Sequence, residues 1–136
     1  MKITTNMKGQ IAMTKVELRA LEKGYILSKP LFDTRYDLIL DSGKELLRIQ
    51  VKYGDGVMPN STGSIFVKLG YENRLGEVFT YRKEEIDGLI VYIPKIDRVC
   101  FFPPKVFENK VKLSIRYVPS KNKQKKGIIS AQDYFW

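Results

Sequence analysis

At Gly24 the hydrophobic pattern of the chain changes from a helical period to an alternating one, and this change constrains the fold more than any other feature. Over residues 9–23, Met13, Val16, Ala20 and Leu21 fall on one face at 100° per residue, and Lys15, Arg19, Glu22 and Lys23 fall on the other. A helix is predicted there, with Gly24 as its stop. Beyond Gly24 the apolar runs are short and punctuated by turns. Residues 25–27 read as a strand that ends before Pro30. Residues 35–40 and 45–53 read as a hairpin closed by Asp41-Ser42-Gly43. Within 45–53, Leu47, Ile49, Val51 and Tyr53 share one face, and Arg48, Gln50 and Lys52 share the other.

The rest continues in this way. Residues 55–63 are rich in Gly, Pro, Asn and Ser and form a loop, and 64–69 read as a strand. Residues 84–87 read as a short helical turn. Residues 89–93 and 98–102 form a second hairpin around Pro94-Lys95-Ile96-Asp97, broken by Pro103-Pro104. Residues 110–118 alternate as a further strand, 121–127 form a basic loop, and 128–136 form an apolar terminus that docks on a neighbour or on its own chain. One helix followed by many strands predicts an α/β (α+β) domain with a central mixed sheet flanked by helices. At 136 residues, a single domain spanning 1–136 is expected.

Composition removes several chemistries. There is no histidine and one cysteine, Cys100. That excludes Ser-His-Asp and Cys-His nucleophile systems and a closed structural zinc site. Between Val99 and Phe101-Phe102, Cys100 reads as a buried strand thiol. Hydrolysis on such a chain must use carboxylates, lysine, amides and a hard cation. No apolar run approaches the ~20 residues of a membrane span, and the N-terminus lacks a signal-peptide pattern. A soluble, cytoplasmic protein without a membrane partner is expected.

The formal charge is +9. From Lys105 onward there are eight basic residues against Glu108 and Asp133, so the excess gathers toward the end of the chain. This distribution suits a polyanionic partner.

Glu17 departs from the helical pattern by projecting from the apolar face between Met13 and Leu21. A carboxylate so placed needs an ion pair, a route to water or a cation, and the spacing leaves all three open. Asp37 is an acid within an apolar strand, and hairpin pairing can bring it beside Gln50 and Lys52. Asp37 offers an anionic oxygen, Gln50 an amide oxygen and Val51 a main-chain carbonyl, a set of oxygen donors suited to Mg²⁺ or Mn²⁺. Lys52 can hold a water or stabilise phosphoryl charge. The bland alternative is a polar cluster at a sheet edge.

The order Lys8-Gly9-Gln10-Ile11-Ala12, Glu22-Lys23-Gly24-Tyr25, Tyr36-Asp37-Leu38-Ile39 and Arg48-Ile49-Gln50-Val51-Lys52 resembles the PD-(D/E)XK endonucleases. The branch it resembles most is the group I intron-encoded homing endonucleases. The runs 85–92, 98–103 and 128–134 extend the likeness over most of the chain. The resemblance implies a restriction-endonuclease-like core and a divalent-metal-dependent site of Asp37, Gln50 and Lys52, with Val51 as a further ligand. It also implies double-stranded DNA as partner, no small-molecule cofactor, and a homo-oligomer, dimer or tetramer. The chain departs from the pattern twice. Gln50 replaces the usual second acid, and the helix glutamate expected eleven residues before Gly24 is Met13, with Glu17 one turn on.

Candidate DNA contacts are Lys8, Arg35, Tyr53, Asn60, Ser61, Lys68, Tyr71, Asn73, Arg74, Tyr81 and Arg82, with Lys121, Lys123, Lys125 and Lys126 in the basic loop. The competing readings are a junction-resolving or restriction-type nuclease, and a catalytically weakened DNA-binding module on the same fold.

Overall fold

The structure, a computed structural model, describes residues 1–119, 122 and 126–136. Helix α1, Thr5–Glu22, starts four residues before the expected point. Thr4 is the reason: its Oγ1 accepts a hydrogen bond from the Met7 N–H at 3.3 Å, a side-chain N-cap that apolar periodicity does not reveal. The end is as expected. Gly24 has φ +84°, and the Tyr25 and Gly24 N–H groups donate to the Ala20 and Leu21 carbonyls at 3.0 and 2.9 Å. This is a Schellman turn, which needs a residue tolerant of the left-handed region.

Strands β1, Ile26–Ser28, β2, Leu38–Asp41, and β3, Leu46–Tyr53, follow as an antiparallel meander. Short strands β4, Gly56–Val57, and β5, Ser64–Lys68, lead to a two-stranded ribbon of β6, Tyr71–Glu72, and β7, Val78–Phe79. The hairpin of β8, Gly88–Ile93, and β9, Arg98–Phe102, comes next. Helix α2, Pro104–Phe107, strand β10, Lys112–Arg116, and a 3-10 turn, Ala131–Tyr134, complete the chain. Pro104 both ends the hairpin and occupies the first helical turn, where its missing N–H is harmless.

Two sheets result. One has the order β1-β2-β3-β8-β9, and the other β10-β5-β4. In the larger sheet β3 and β8 are parallel, with Gln50 opposite Leu89 and Lys52 opposite Val91, and the remaining pairs are antiparallel. The sheet is therefore mixed, as the pattern suggested. All six residues of β8 are buried, because both faces of the sheet are covered.

Helix α1 covers one face through Ala12, Val16 and Ala20 against Leu38, Leu40, Ile49, Val51 and Ile90. Two alanines let the helix sit close, so Leu21, expected in the core, rises off the sheet and is 60% exposed. The smaller sheet covers the other face, with Ile65, Val67, Leu113 and Ile115 against Leu89, Val91, Cys100 and Phe102. Burial pushes the Cys100 thiol up to about 12, which leaves it an unreactive thiol at neutral pH.

The apolar terminus docks on its own chain. The Trp136 N–H donates to the Val99 carbonyl at 3.1 Å, and Phe135 bridges to Cys100. The Trp136 ring lies against Tyr25 and Phe101, with centroids 5.6 and 6.2 Å away. The outer edge of β9 is thereby closed.

Candidate active site

The β2–β3 ladder ends at a defined point. Leu38 is opposite Ile49, and the Asp37 N–H donates to the Ile49 carbonyl at 2.8 Å. One residue on, the chain of β2 has turned away and the next N–H of β3, that of Val51, has no strand partner there. The Asp37 carboxylate takes it instead, with Oδ2 accepting from Val51 at 2.9 Å. A strand residue sends its N–H and C=O to the same edge, so the Val51 carbonyl also opens toward the gap. The Gln50 amide lies within 3.5 Å of that carbonyl. A flip of the amide exchanges its nitrogen and oxygen at this position.

Strand alternation directs Gln50 and Lys52 away from α1, because Ile49 and Val51 belong to the helix-side core. Lys52 instead reaches Tyr81 on the other side, with Nζ 5.6 Å from the ring centroid. The structure therefore brings Asp37, Gln50, Val51 and Lys52 together where β2 leaves β3. Among the described residues, no hydrogen bond or ion pair joins Met13 or Glu17 to Asp37, Gln50 or Lys52. Met13 packs into the helix-side core, and Glu17 Oε1 lies 2.8 Å from Lys29 Nζ as an ion pair, without hydrogen-bond alignment.

Burial opposes both charges of the pair. It raises the Asp37 carboxyl above its ordinary value, against the Val51 N–H and the Lys52 ammonium, which pull it down. It lowers the Lys52 ammonium, helped by Arg35 and opposed by Asp37. A carboxylate and an amine both held away from their preferred charge states make this cluster a candidate site.

Arg35 and Tyr81 belong to the same cluster. The Arg35 guanidinium carbon lies 4.3 Å from the Tyr81 ring centroid. Its Nε donates to Glu85 Oε2 at 3.4 Å, and its Nη2 donates to the Thr80 carbonyl at 3.1 Å. Sequence reading gave both residues only a general DNA-contact role. Tyr81 lies in no regular element and is 46 positions from Arg35, so no spacing rule pairs them.

The oxygen donors suit a hard divalent cation in kind. Among the described residues no three His, Cys, Asp or Glu side chains gather, so Asp37 would be its one charged ligand, with Val51 and Gln50 neutral. The Asp37 carboxylate and the Val51 carbonyl, at the end of the β2–β3 ladder, are of the right kind for that role.

The other expected contacts are dispersed. Lys8 pairs with Asp55 and lies over Tyr53 on the helix side of the sheet. Asn60 occupies a left-handed turn with φ 59°, and the Ser61 N–H donates to the Met58 carbonyl. Tyr71 stacks on Phe79 at 5.0 Å. Asn73 Oδ1 accepts from the Leu75 and Glu77 N–H groups at 2.9 Å each, so its acceptor serves the ribbon turn rather than a base. Lys68, Arg74, Arg82 and Lys126 are exposed. Lys121, Lys123 and Lys125 lie outside the described residues.

No curated protein matches the chain. The solved structure of a bacterial homing endonuclease, I-Ssp6803I, superposes with a TM-score of 0.77 at 29% identity, over 97% of this chain and 88% of that one. Hjc, a Holliday junction resolvase from the archaeal hyperthermophile Archaeoglobus fulgidus, superposes with a TM-score of 0.51 at 12% identity, over 80% of this chain and 84% of that one, and shares the fold alone. The profile of the PD-(D/E)XK endonucleases matches residues 3–136. With its restriction-endonuclease-like mixed sheet and Asp37 and Lys52 at the open end of the β2–β3 ladder, the chain belongs to the PD-(D/E)XK endonuclease family.

Proposed function

We propose that the protein is a site-specific endonuclease that hydrolyses phosphodiester bonds of double-stranded DNA with Mg²⁺ or Mn²⁺, in the manner of a homing endonuclease. The observation that carries this reading is the Asp37 carboxylate on the Val51 N–H, with Lys52 alongside, in a chain 29% identical to a bacterial homing endonuclease. Nucleases of this family generally use divalent metals. A bound cation would supply positive charge to the phosphoryl oxygens and lower the pKa of a water. Asp37, Val51 and Gln50 would hold it, and Lys52 would orient the attacking water or meet charge on the phosphate.

A weakened, DNA-binding form is the second reading, favoured by one observation: Gln50 leaves the site with a single charged ligand. The test is cleavage of a duplex library with randomised sites, with Mg²⁺ or with EDTA, by the parent chain, Asp37→Asn and Lys52→Ala. Cleavage at one recurrent site, lost with EDTA and reduced at least about 10²-fold by either substitution, is expected. Binding of a recurrent site without cleavage in either metal would leave the second reading standing. Preference for a four-way junction over linear duplex would move the assignment to a resolving enzyme.

A further inference from the structure

Arg35 and Lys52 place two cations against one aromatic ring, that of Tyr81, at 4.3 and 5.6 Å from its centroid. Tyr81 is only 7% exposed. Like charges brought together in a half-buried cleft repel unless an anion lies between or beside them. The anions in place are Asp37, spoken for by the Val51 N–H, and Glu85, whose Oε2 is 3.4 Å from Arg35 Nε and also accepts from the Arg82 N–H at 3.3 Å. Glu85 forms an ion pair with one edge of the guanidinium and leaves the rest of its donors to other partners. Of its five N–H groups, one on Nε and one on Nη2 have partners among the described residues. The whole Nη1 edge is left, in a fork shaped to grip two oxygens of one phosphate.

Arg35 is also held still. Its plane is supported by Tyr81, and its two tethers come from Thr80 and Glu85 on the segment leading into β8. An arginine needed only for surface charge has no use for a stacked ring and a main-chain tether. Preorganisation of this kind lowers the cost of meeting charge that develops during reaction.

The missing acid gives the arrangement a purpose. With glutamine at position 50 the oxygen cluster carries one negative charge, which favours one divalent cation over two. In two-cation sites the second ion neutralises charge on the phosphoryl group. We propose that Arg35 is a catalytic residue that grips non-bridging oxygens of the scissile phosphate from its support on Tyr81, supplying the positive charge that the Gln50 substitution withholds. The inference rests on the nuclease reading of the site. In hydrolysis the water oxygen forms a bond to phosphorus as the bond to the leaving deoxyribose oxygen breaks. The water gives up one proton, and the leaving oxygen takes one from solvent. Arg35 neither gains nor loses a proton, and its part is to meet the charge that builds on the two non-bridging oxygens.

The experiment compares the parent with Arg35→Ala, Arg35→Lys and Tyr81→Leu. Single-turnover cleavage is measured with Mg²⁺, and duplex affinity with Ca²⁺ in its place. A loss of about 10²-fold or more in the cleavage rate of Arg35→Ala, with affinity within fivefold of parent, is expected. Arg35→Lys recovers part of the rate, since it keeps the charge and loses the fork. Tyr81→Leu loses rate with the cation intact. Thermal unfolding of each variant shows whether it is folded, and the lysine variant carries the comparison if the alanine variant is not.

A cleavage rate for Arg35→Ala within threefold of parent, or a loss wholly accounted for by affinity, would overturn the assignment. The nuclease reading is tested separately by the parent, which must cut. If it does not, the Arg35 Nε–H resonance, identified by its absence in Arg35→Lys, is followed while a short duplex is added without metal. Movement of that signal supports the phosphate grip, and a fixed signal at saturating duplex rejects it.

Discussion

Asp37 and Lys52 occupy positions where burial works against their charges, and the sign of the consequence differs from that of an ordinary salt bridge. The Asp37 carboxyl is raised by desolvation, so its ionised form costs the folded state energy at every pH above the unfolded carboxyl value. That cost shrinks as pH falls through the folded value. Lys52 is lowered, so its charged form costs the folded state energy below the folded value, and the cost is relieved as pH rises toward the ordinary lysine range. Asp37→Asn keeps an acceptor for the Val51 N–H and removes the buried charge. Its expected outcome is a protein more stable than parent by about 1 kcal/mol at pH 7, the usual size for relief of a functional strain, and inactive in cleavage. Urea unfolding at several pH values checks this, and the difference between the two proteins should vanish as the pH nears 3. A variant less stable than parent at neutral pH would show that the Lys52 interaction outweighs desolvation. In metal-free protein the same shift means that duplex-independent cation binding rises with pH through a range above the ordinary aspartate value, readable by calorimetry.

Elements were legible in the sequence where contacts are local. The β2–β3 hairpin follows from alternation and the Asp41-Ser42-Gly43 turn, and with it the approach of Asp37 to Gln50 and Lys52. The Gly24 stop of α1 was legible because a Schellman turn needs a left-handed residue. Pairings distant in sequence were not. Strands β3 and β8 lie side by side in parallel across some 35 intervening positions, and nothing in either run names the other. The Arg35–Tyr81–Glu85 cluster depends on that pairing. Helical periodicity placed Glu17 on a face, but it does not say which side of a sheet the face meets. Alternation in β3 sends Lys52 to the opposite side, and Lys29 is the partner that Glu17 finds.

Gly88, at the start of β8, tests the packing that fixes this register. A Cβ there would lie 2.5 Å from Phe101 Cζ and 3.0 Å from Ile49 Cδ1. Gly88→Ala is expected to destabilise by about 1–3 kcal/mol, as overpacking does, while leaving Asp37 in place. A melting temperature equal to parent would show that Phe101 moves aside freely.

On the scale of the whole molecule, one chain carries one Asp37–Lys52 cleft, facing away from α1. Cutting both strands of a duplex by such a chain requires two clefts, hence two chains or two visits. The two cases separate kinetically. With supercoiled plasmid bearing one target, substoichiometric protein is expected to release nicked circles first and linear DNA later. Raising protein concentration shifts the ratio toward linear product. Salt acts on the same experiment through the +9 charge. If about six phosphates are contacted, affinity falls roughly 10³-fold between 50 and 200 mM salt, while the rate of the bound complex is expected to stay nearly constant if Arg35 and Lys52 meet the phosphate at direct contact, well inside the screening length. Linear product appearing without nicked circles at the lowest protein concentration would mean that two clefts are already joined before DNA is met.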